Sequence, residues 1–586
     1  MSFIFRVFRK RWKRAPKKAP KVSIQEPPEV SSTASDMFPD CDFDVAFRVS
    51  SDADINSFHQ SMEHISLQES SLSSDPYGGS STSSLGTSKK VKFFVSEIDL
   101  LPLLNESRWL EVKRQLRRLQ KHGSSQDICR VLTRRNDSEG ESILHIAAWK
   151  APPGLFHMMV SMLPEVDRTT CLSLEDKDGN TPFHLLCANL NGDCVDFSIV
   201  EDTLMRDIGI LCKPNSYGDT CLHLLIASDA FSMTQAEECK EVAAIEKLSE
   251  GVFTKVGTEA LLSCKNVKGL NLLHIAIANQ VHGGVLSQLL RLAPACAKDA
   301  DNRGMLPLHY TAGASFIAAS FVEELIQVYP DSIMQQDKNG DTSLHLQLVN
   351  ITRRQNANDD QNMIQVIEFL MGEKQQLGHG DESVSSPMLI QNREGLTPLH
   401  VCALFGVPSE LTKILMGSSF VDDSFGLKTN DGSSALHLAC RSEHISELAD
   451  LIEFLSSKKG ACSIADNEGL TPLINAVQNP DVSVEVVKIL CHAYPEGLTI
   501  SKNGMIVLHQ ALSMGPNANA GVVKALLKAA PKTINVAWKG NSVLTEALKC
   551  GVPKSVVKVL MEKLNYKKAK KSKRTKRAST TTTSRC

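Results

Sequence analysis

The chain has 586 residues, of which 42% are hydrophobic, 22% charged and 5% aromatic, with a formal net charge of −2. That is ample for an extensive packed core, yet no apolar run approaches the about 18 residues of a membrane-spanning helix, and no secretory signal is evident. Sixteen cysteines are scattered without a Cys-x-x-Cys pair, which argues against a zinc site or a disulfide framework and for reduced packing residues, Cys187, Cys402 and Cys440 among them.

The near-neutral total hides strong polarity. Residues 1–21 hold nine Lys and Arg and no acid, residues 567–586 hold nine more and no acid, and the stretch between them carries 46 basic against 66 acidic residues, a net charge of −20. An acidic middle repels phosphate backbones, so direct nucleic-acid binding by it is not expected, while basic protein partners are steered toward it.

In chain order, the first element interleaves aromatics with cations from Phe3 to Arg14. On a helix Phe5, Phe8 and Trp12 line one side, which suits a peripheral anchor on anionic lipid, each nearby cation adding about 1 kcal/mol. The same Arg-rich, acid-poor composition is compatible with an organelle presequence, and with a nuclear-import signal. Ser2 in place of glycine excludes N-myristoylation, and Cys586 at the last position does not make a prenylation box.

Residues 22 to about 90 are rich in Ser, Asp and Pro, as in Ser70-Ser71-Leu72-Ser73-Ser74-Asp75. Such a stretch cannot bury enough apolar surface to offset its ordering entropy, so residues 1–97 are predicted to be a disordered segment and linker. At its edge Lys90-Val91-Lys92-Phe93 resembles the docking motif by which regulatory subunits hold type 1 protein phosphatase, with Lys90, Val91 and Phe93 as the contacting residues. The alternative is that Val91 and Phe93 begin the apolar edge of a capping helix. Trp109, Val112, Leu116 and Leu119 share a face, which predicts such a half-polar helix near 105–120, suited to cap a repeat array.

From Gly140 to Gly540 the pattern Asp-Gly-x-Thr-Pro-Leu-His recurs, in whole or part, eleven times, at Gly140, 179, 218, 269, 304, 340, 395, 432, 469, 504 and 540. Nine copies place a histidine five residues after the glycine: His145, His184, His223, His274, His309, His345, His400, His437 and His509. A period of 35 to 39 residues signals a stacked array, and two longer steps leave room for insertions near 229–262 and 351–388. Each part of the motif has a structural use. Glycine supplies positive φ at a tight turn, threonine can cap the first free amides of a helix, and proline at 182, 398 and 472 sits where no amide hydrogen is needed. The histidine, three residues after the cap, can bond back toward it. Second helices, such as Phe321 to Tyr329, carry apolar spacing and stop at Pro330, as others do at Pro294, Pro495 and Pro531.

Thr397-Pro398-Leu399-His400-Val401-Cys402-Ala403, Leu144-His145-Ile146-Ala147-Ala148 and Ala435-Leu436-His437-Leu438-Ala439-Cys440 resemble ankyrin repeats, and the resemblance covers roughly residues 98–565. It implies an all-α solenoid of about eleven repeats, each a β-turn and an antiparallel helix pair, that binds proteins through its turn tips and concave face. The tip residues beside the turn glycines are Asn180, Tyr217, Asp219, Arg303, Asp341, Arg393, Asp431 and Glu468. This chain departs from the family pattern in its longer repeats, and in Ile474 and Thr545 where histidine is expected.

The tail, residues 566–586, is predicted to be disordered and packs Lys567, Lys568, Lys570, Lys571, Lys573, Arg574, Lys576 and Arg577 into eleven residues. It resembles a nuclear-import signal, the alternative being a solvated tail, and Arg577-Ala578-Ser579 suits a basophilic kinase whose phosphate would remove up to about 2 units of charge. No phosphate-cradling loop, His-Glu-x-x-His, Gly-x-Ser-x-Gly or kinase signature is present. The histidines stand one repeat apart, whereas a metal needs its ligands about 2 Å from one centre, so neither a metal nor a cofactor is expected. The expectation is a non-catalytic protein-binding scaffold of nucleus and cytoplasm, with phosphatase targeting through Val91 and Phe93 or membrane attachment through Phe5, Phe8 and Trp12 as alternatives.

Overall fold

The computed structural model describes residues 98–564 except 137–138, 153, 190–207, 229–261, 315–316, 352–359, 373–385, 407–408, 418–420, 500 and 503–504. The N-terminal aromatics Phe5, Phe8 and Trp12, the Lys90-Val91-Lys92-Phe93 element, residues 567–577, Ser579 and Gly504 lie outside the described residues, as does most of each expected insertion.

Every described turn glycine of the repeat adopts φ between +72° and +79°. Each turn leads into a short inner helix. These are Ile143–Lys150, Pro182–Ala188, Cys221–Ala227, Leu272–Ala278, Pro307–Tyr310, Ser343–Ile351, Pro398–Phe405, Ala435–Arg441, Pro472–Gln478, Val507–Ser513 and Val543–Lys549. Their sequences are apolar nearly all round, as in Leu272-Leu273-His274-Ile275-Ala276-Ile277, and that composition suits a helix covered on all sides. Successive inner helices pack on one another along the chain, and the outer helices, such as Gly283–Leu292, Ala319–Val328, Val484–Ala493 and Ala520–Ala529, pack both on their own inner helix and on a neighbouring outer one. The outer helices are longer and one-sided. Val484–Ala493 buries Val486, Val487, Leu490 and Cys491 and leaves Glu485 and Lys488 exposed.

The expected prolines do stop these helices, but they also start something. Pro294, Pro330 and Pro495 each open a short 3-10 turn (Pro294–Lys298, Pro330–Ile333, Pro495–Leu498), which carries the chain back toward the next glycine turn. The tenth unit differs. There a two-stranded antiparallel ribbon, Ser501–Lys502 with Met505–Ile506, takes the place of the plain turn.

The capping helix spans Trp109–His122 and buries Val112, Leu116 and Leu119. Leu101–Asn105 precedes it, and the array closes on the helix 554–564, where Val556 and Leu560 are buried. The second expected insertion needs correction. Asp360–Met371, inside the span 351–388, packs on Ala319–Val328 and is the outer helix of its unit, so the extra residues fall on either side of it. The spacing of Met363, Val366, Ile367 and Leu370 marks that helix in the sequence, and counting glycine steps alone passes over it.

At Gly340, φ is +79° and an added Cβ would stand 2.8 Å from the Arg393 amide nitrogen of the next turn; at Gly540, φ is +78° with nothing within 4 Å. Gly540→Ala is therefore expected to lose only the left-handed backbone penalty, about 1 to 2 kcal/mol, and Gly340→Ala that penalty plus the displaced turn. Urea unfolding of the two variants measures the difference. Equal losses would mean that the turns do not press on one another.

Candidate protein-interaction surface

The turn is closed by a residue the motif reading passed over, three positions before the glycine. Asp176 Oδ1 accepts from the Asp178 and Asn180 amides at 2.9 and 2.8 Å, and Asn215, Asn266, Asp301, Asp337, Asn392 and Asp466 repeat that pair of bonds in their own turns. Thr429 serves instead in the eighth unit, through its hydroxyl. The recurrence of Asp or Asn at this spacing was visible in the sequence, and could have been found by aligning the repeats on their glycines.

The histidine does more than cap. In the first unit the Ser142 amide and hydroxyl both donate to His145 Nδ1, at 3.1 and 2.7 Å, and the same pair is made by Thr181 to His184, Thr342 to His345 and Ser434 to His437. The hydroxyl expected to cap a backbone amide is thus chiefly spent on the ring. Because Nδ1 accepts, Nε2 carries the proton, and it donates to a carbonyl of the following unit: His145 to Asn180 at 2.9 Å, His184 to Asp219 at 3.1 Å, His345 to Leu396 at 3.0 Å and His437 to Leu470 at 3.1 Å. Where Ile474 replaces the histidine, the Thr471 hydroxyl is buried with no partner. Where Thr545 replaces it, Ser542 and Thr545 bond to each other at 2.8 Å.

A backbone ladder then joins turn to turn. The Asn302 amide donates to Lys268 O at 3.0 Å, Lys338 to Arg303 O at 2.8 Å, Arg393 to Asn339 O at 3.0 Å, Asn430 to Glu394 O at 3.0 Å and Asn467 to Asp431 O at 3.1 Å. Two glutamines reinforce it, Gln336 and Gln391 each donating to a carbonyl of their own turn and to one of the next.

The expected tip residues divide into two groups. Asn180 and Asp219 are half-buried and Asp341 is buried, and each accepts from an asparagine of the next turn: Asn215 at 2.9 Å, Asn266 at 2.9 Å and Asn392 at 2.7 Å. An aspartate at the receiving position could not donate, and asparagine stands there wherever the preceding turn offers Asn or Asp; after Leu270 and Met305 the closing residues are Asp301 and Asp337. Tyr217, Arg303, Arg393, Asp431 and Glu468 are exposed. Arg303 is held in place, its guanidinium donating to Tyr310 Oη at 2.6 Å and to Asp301 Oδ2 at 3.2 Å. Asp431 is paired with Arg441 at 3.2 Å. Exposed Val267, Lys268 and Lys338 share the same row and were missed, since only the residues judged least constrained around each glycine were singled out.

Burial sets the titration of the array. It pushes His274, His345, His400 and His437 down to about 4, and it pushes Asp341 up to about 7, with Asp337 and Glu394 adding to that rise and the Asn392 bond opposing it. Among the described residues no three His, Cys, Asp or Glu converge as a metal site would require, and Cys187, Cys402 and Cys440 are buried, unpaired thiols.

A family model described as ankyrin repeats, in three copies, matches residues 399–500, and the same turn, ring bond and helix pair recur in the units before that span. Its repeats have the ankyrin fold, and residues 399–500 match the ankyrin family by sequence. Arrays of ankyrin repeats are protein-interaction scaffolds. Among solved structures it is similar to the ankyrin repeat domain of Bcl-3, titled a unique member of the IkappaB protein family, at 20% identity and a TM-score of 0.33, over 44% of this chain and 100% of that one. That superposition is too loose to argue from. No curated protein sequence matches the chain.

The ring bonds have a pH signature. The unfolded histidines take up protons near 6.5 and the folded ones near 4, so the stability present above 6.5 is lost as pH falls through that window. Asp341 acts with the opposite sign. Its folded value lies above the ordinary 3.8, so it costs stability as pH rises toward and past about 7. Asp341→Asn keeps an acceptor for Asn392 and is expected to gain on the order of 1–3 kcal/mol at pH 8, with little gain at pH 4. Urea unfolding across this pH range tests both, and a pH-independent gain would count against the buried carboxylate.

Proposed function

We propose that this ankyrin array is a non-catalytic scaffold that grips partner proteins along its row of turn tips. The observation that carries the proposal is the backbone ladder, because it sets exposed side chains of successive units in one line at a spacing of about 10 Å. Along that line the units present Tyr217 and Val267, then Lys268, Arg303, Lys338 and Arg393, then Asp431 and Glu468. Four consecutive units thus offer a cation at the tip. The net negative charge of the middle of the chain pointed to basic partners, but a binding surface is read by its local charge, and this one fits a segment with apolar side chains at one end and carboxylates along its length.

Each tip lies outside the packed core, so its replacement should leave the fold intact. Lys268→Glu with Lys338→Glu and Arg393→Glu is expected to remove most partners recovered by affinity capture and mass spectrometry from the full chain, while circular dichroism and unfolding midpoint stay unchanged. Partner recovery equal to the unaltered chain would move the binding surface to the helices.

The proposal places the scaffold in nucleus and cytoplasm, through the eight cations of residues 567–577. Deleting those residues should exclude a fluorescent fusion from the nucleus. Continued accumulation would transfer the import role to residues 1–21.

A further inference from the structure

The capping helix Trp109–His122 turns Val112, Leu116 and Leu119 to the core. At about 3.6 residues per turn, the opposite arc carries Lys113, Arg114, Arg117, Arg118 and Lys121, all exposed. Leu110 stands among them, 83% exposed. The one acid of the helix, Glu111, is engaged by Arg114 and Gln115.

A cap that served solubility alone would need no such face. Lys113 and Arg117, Arg114 and Arg118, and Arg117 and Lys121 are like charges four residues apart, an arrangement that weakens a helix. The helix at the other end of the array, 554–564, exposes Lys554, Lys558 and Glu562, so a cap of mixed sign is available to this chain. Five crowded cations are relieved by a dense sheet of anions, and an exposed leucine in their midst by hydrocarbon. A bilayer with anionic headgroups supplies both, whereas a phosphate backbone supplies only the first.

We propose that this helix face docks the protein on anionic membrane surfaces, with the five cations on the headgroups and Leu110 entering the interface. The site uses none of the turn-tip residues, and it does not depend on the protein-binding reading.

The test is co-sedimentation of the full chain with phosphatidylcholine vesicles, with and without about one third phosphatidylserine. Binding is expected only to the mixed vesicles. Each cation at such a surface is worth about fivefold in partition, so Arg117→Glu with Arg118→Glu should lower it well over tenfold, and Leu110→Gln by a smaller factor that persists at high salt. The same losses should appear in a chain lacking residues 2–14, which removes any contribution from Phe5, Phe8 and Trp12. Three outcomes would overturn the proposal: no binding of the unaltered chain to mixed vesicles, charge-reversed and unaltered chains binding alike once residues 2–14 are gone, or capture of an RNA oligomer in preference to vesicles with Leu110→Gln having no effect.

Discussion

One carbonyl, that of the residue after the turn glycine, ties neighbouring units together at His145, His184, His274, His345 and His437. Asn180 O accepts from the Asp176 amide of its own turn at 2.9 Å and from His145 Nε2 of the preceding unit at 2.9 Å, and Leu396 O does the same for Asn392 and His345. A turn that failed to close would misplace the acceptor for its neighbour's ring. Closure of one unit and stacking of the previous one are therefore coupled through a single atom. The coupling requires the ring to be neutral, with its proton on Nε2, and burial keeps it so.

Such an array draws its stability from unit interfaces as much as from the units themselves, and the interfaces are not equal. Leu306 and Ile506 occupy the cap position without a hydroxyl, so the Nδ1 of the following histidine accepts there from a backbone amide and not from a cap side chain. Thr471, with Ile474 three residues on, lacks a ring to meet, and its hydroxyl is buried without a partner. Asp341 adds a buried carboxylate with one oxygen unpartnered. Local opening is cheapest where bonds are missing, and these positions distinguish units that look alike by motif.

The same ladder separates scaffold from surface. Side chains that face along the stack, such as Asn215, Asn266 and Asn392, are consumed in joining turns, whereas those at the tips, such as Tyr217, Lys338 and Arg393, are exposed and differ in character from unit to unit. Charge is distributed accordingly. The cations gather at the tips of the central units and on the capping helix, although acidic residues outnumber basic ones over residues 22–566.

The architecture was legible because its signals are local and repeated: glycine at a turn, proline at the first helical position of 182, 398 and 472, and the apolar run after His274 all act within a few residues of where they stand. The existence of the half-polar capping helix followed from the spacing of Trp109, Val112, Leu116 and Leu119. What lay hidden was whatever joins residues 31 to 51 positions apart, namely the second bond of histidines such as His274 and His345 and the asparagine bridges that engage Asn180, Asp219 and Asp341. The outer helix Asp360–Met371 carries its own apolar period at Met363, Val366, Ile367 and Leu370, and its packing against Ala319–Val328 assigns it to the stack. Backbone preference and amphipathic period are properties of a short stretch of chain, so one strand of text suffices to read them. Whether a polar side chain beside a turn meets water or a neighbouring unit depends on the pitch of the stack, and that is set only when the units pack.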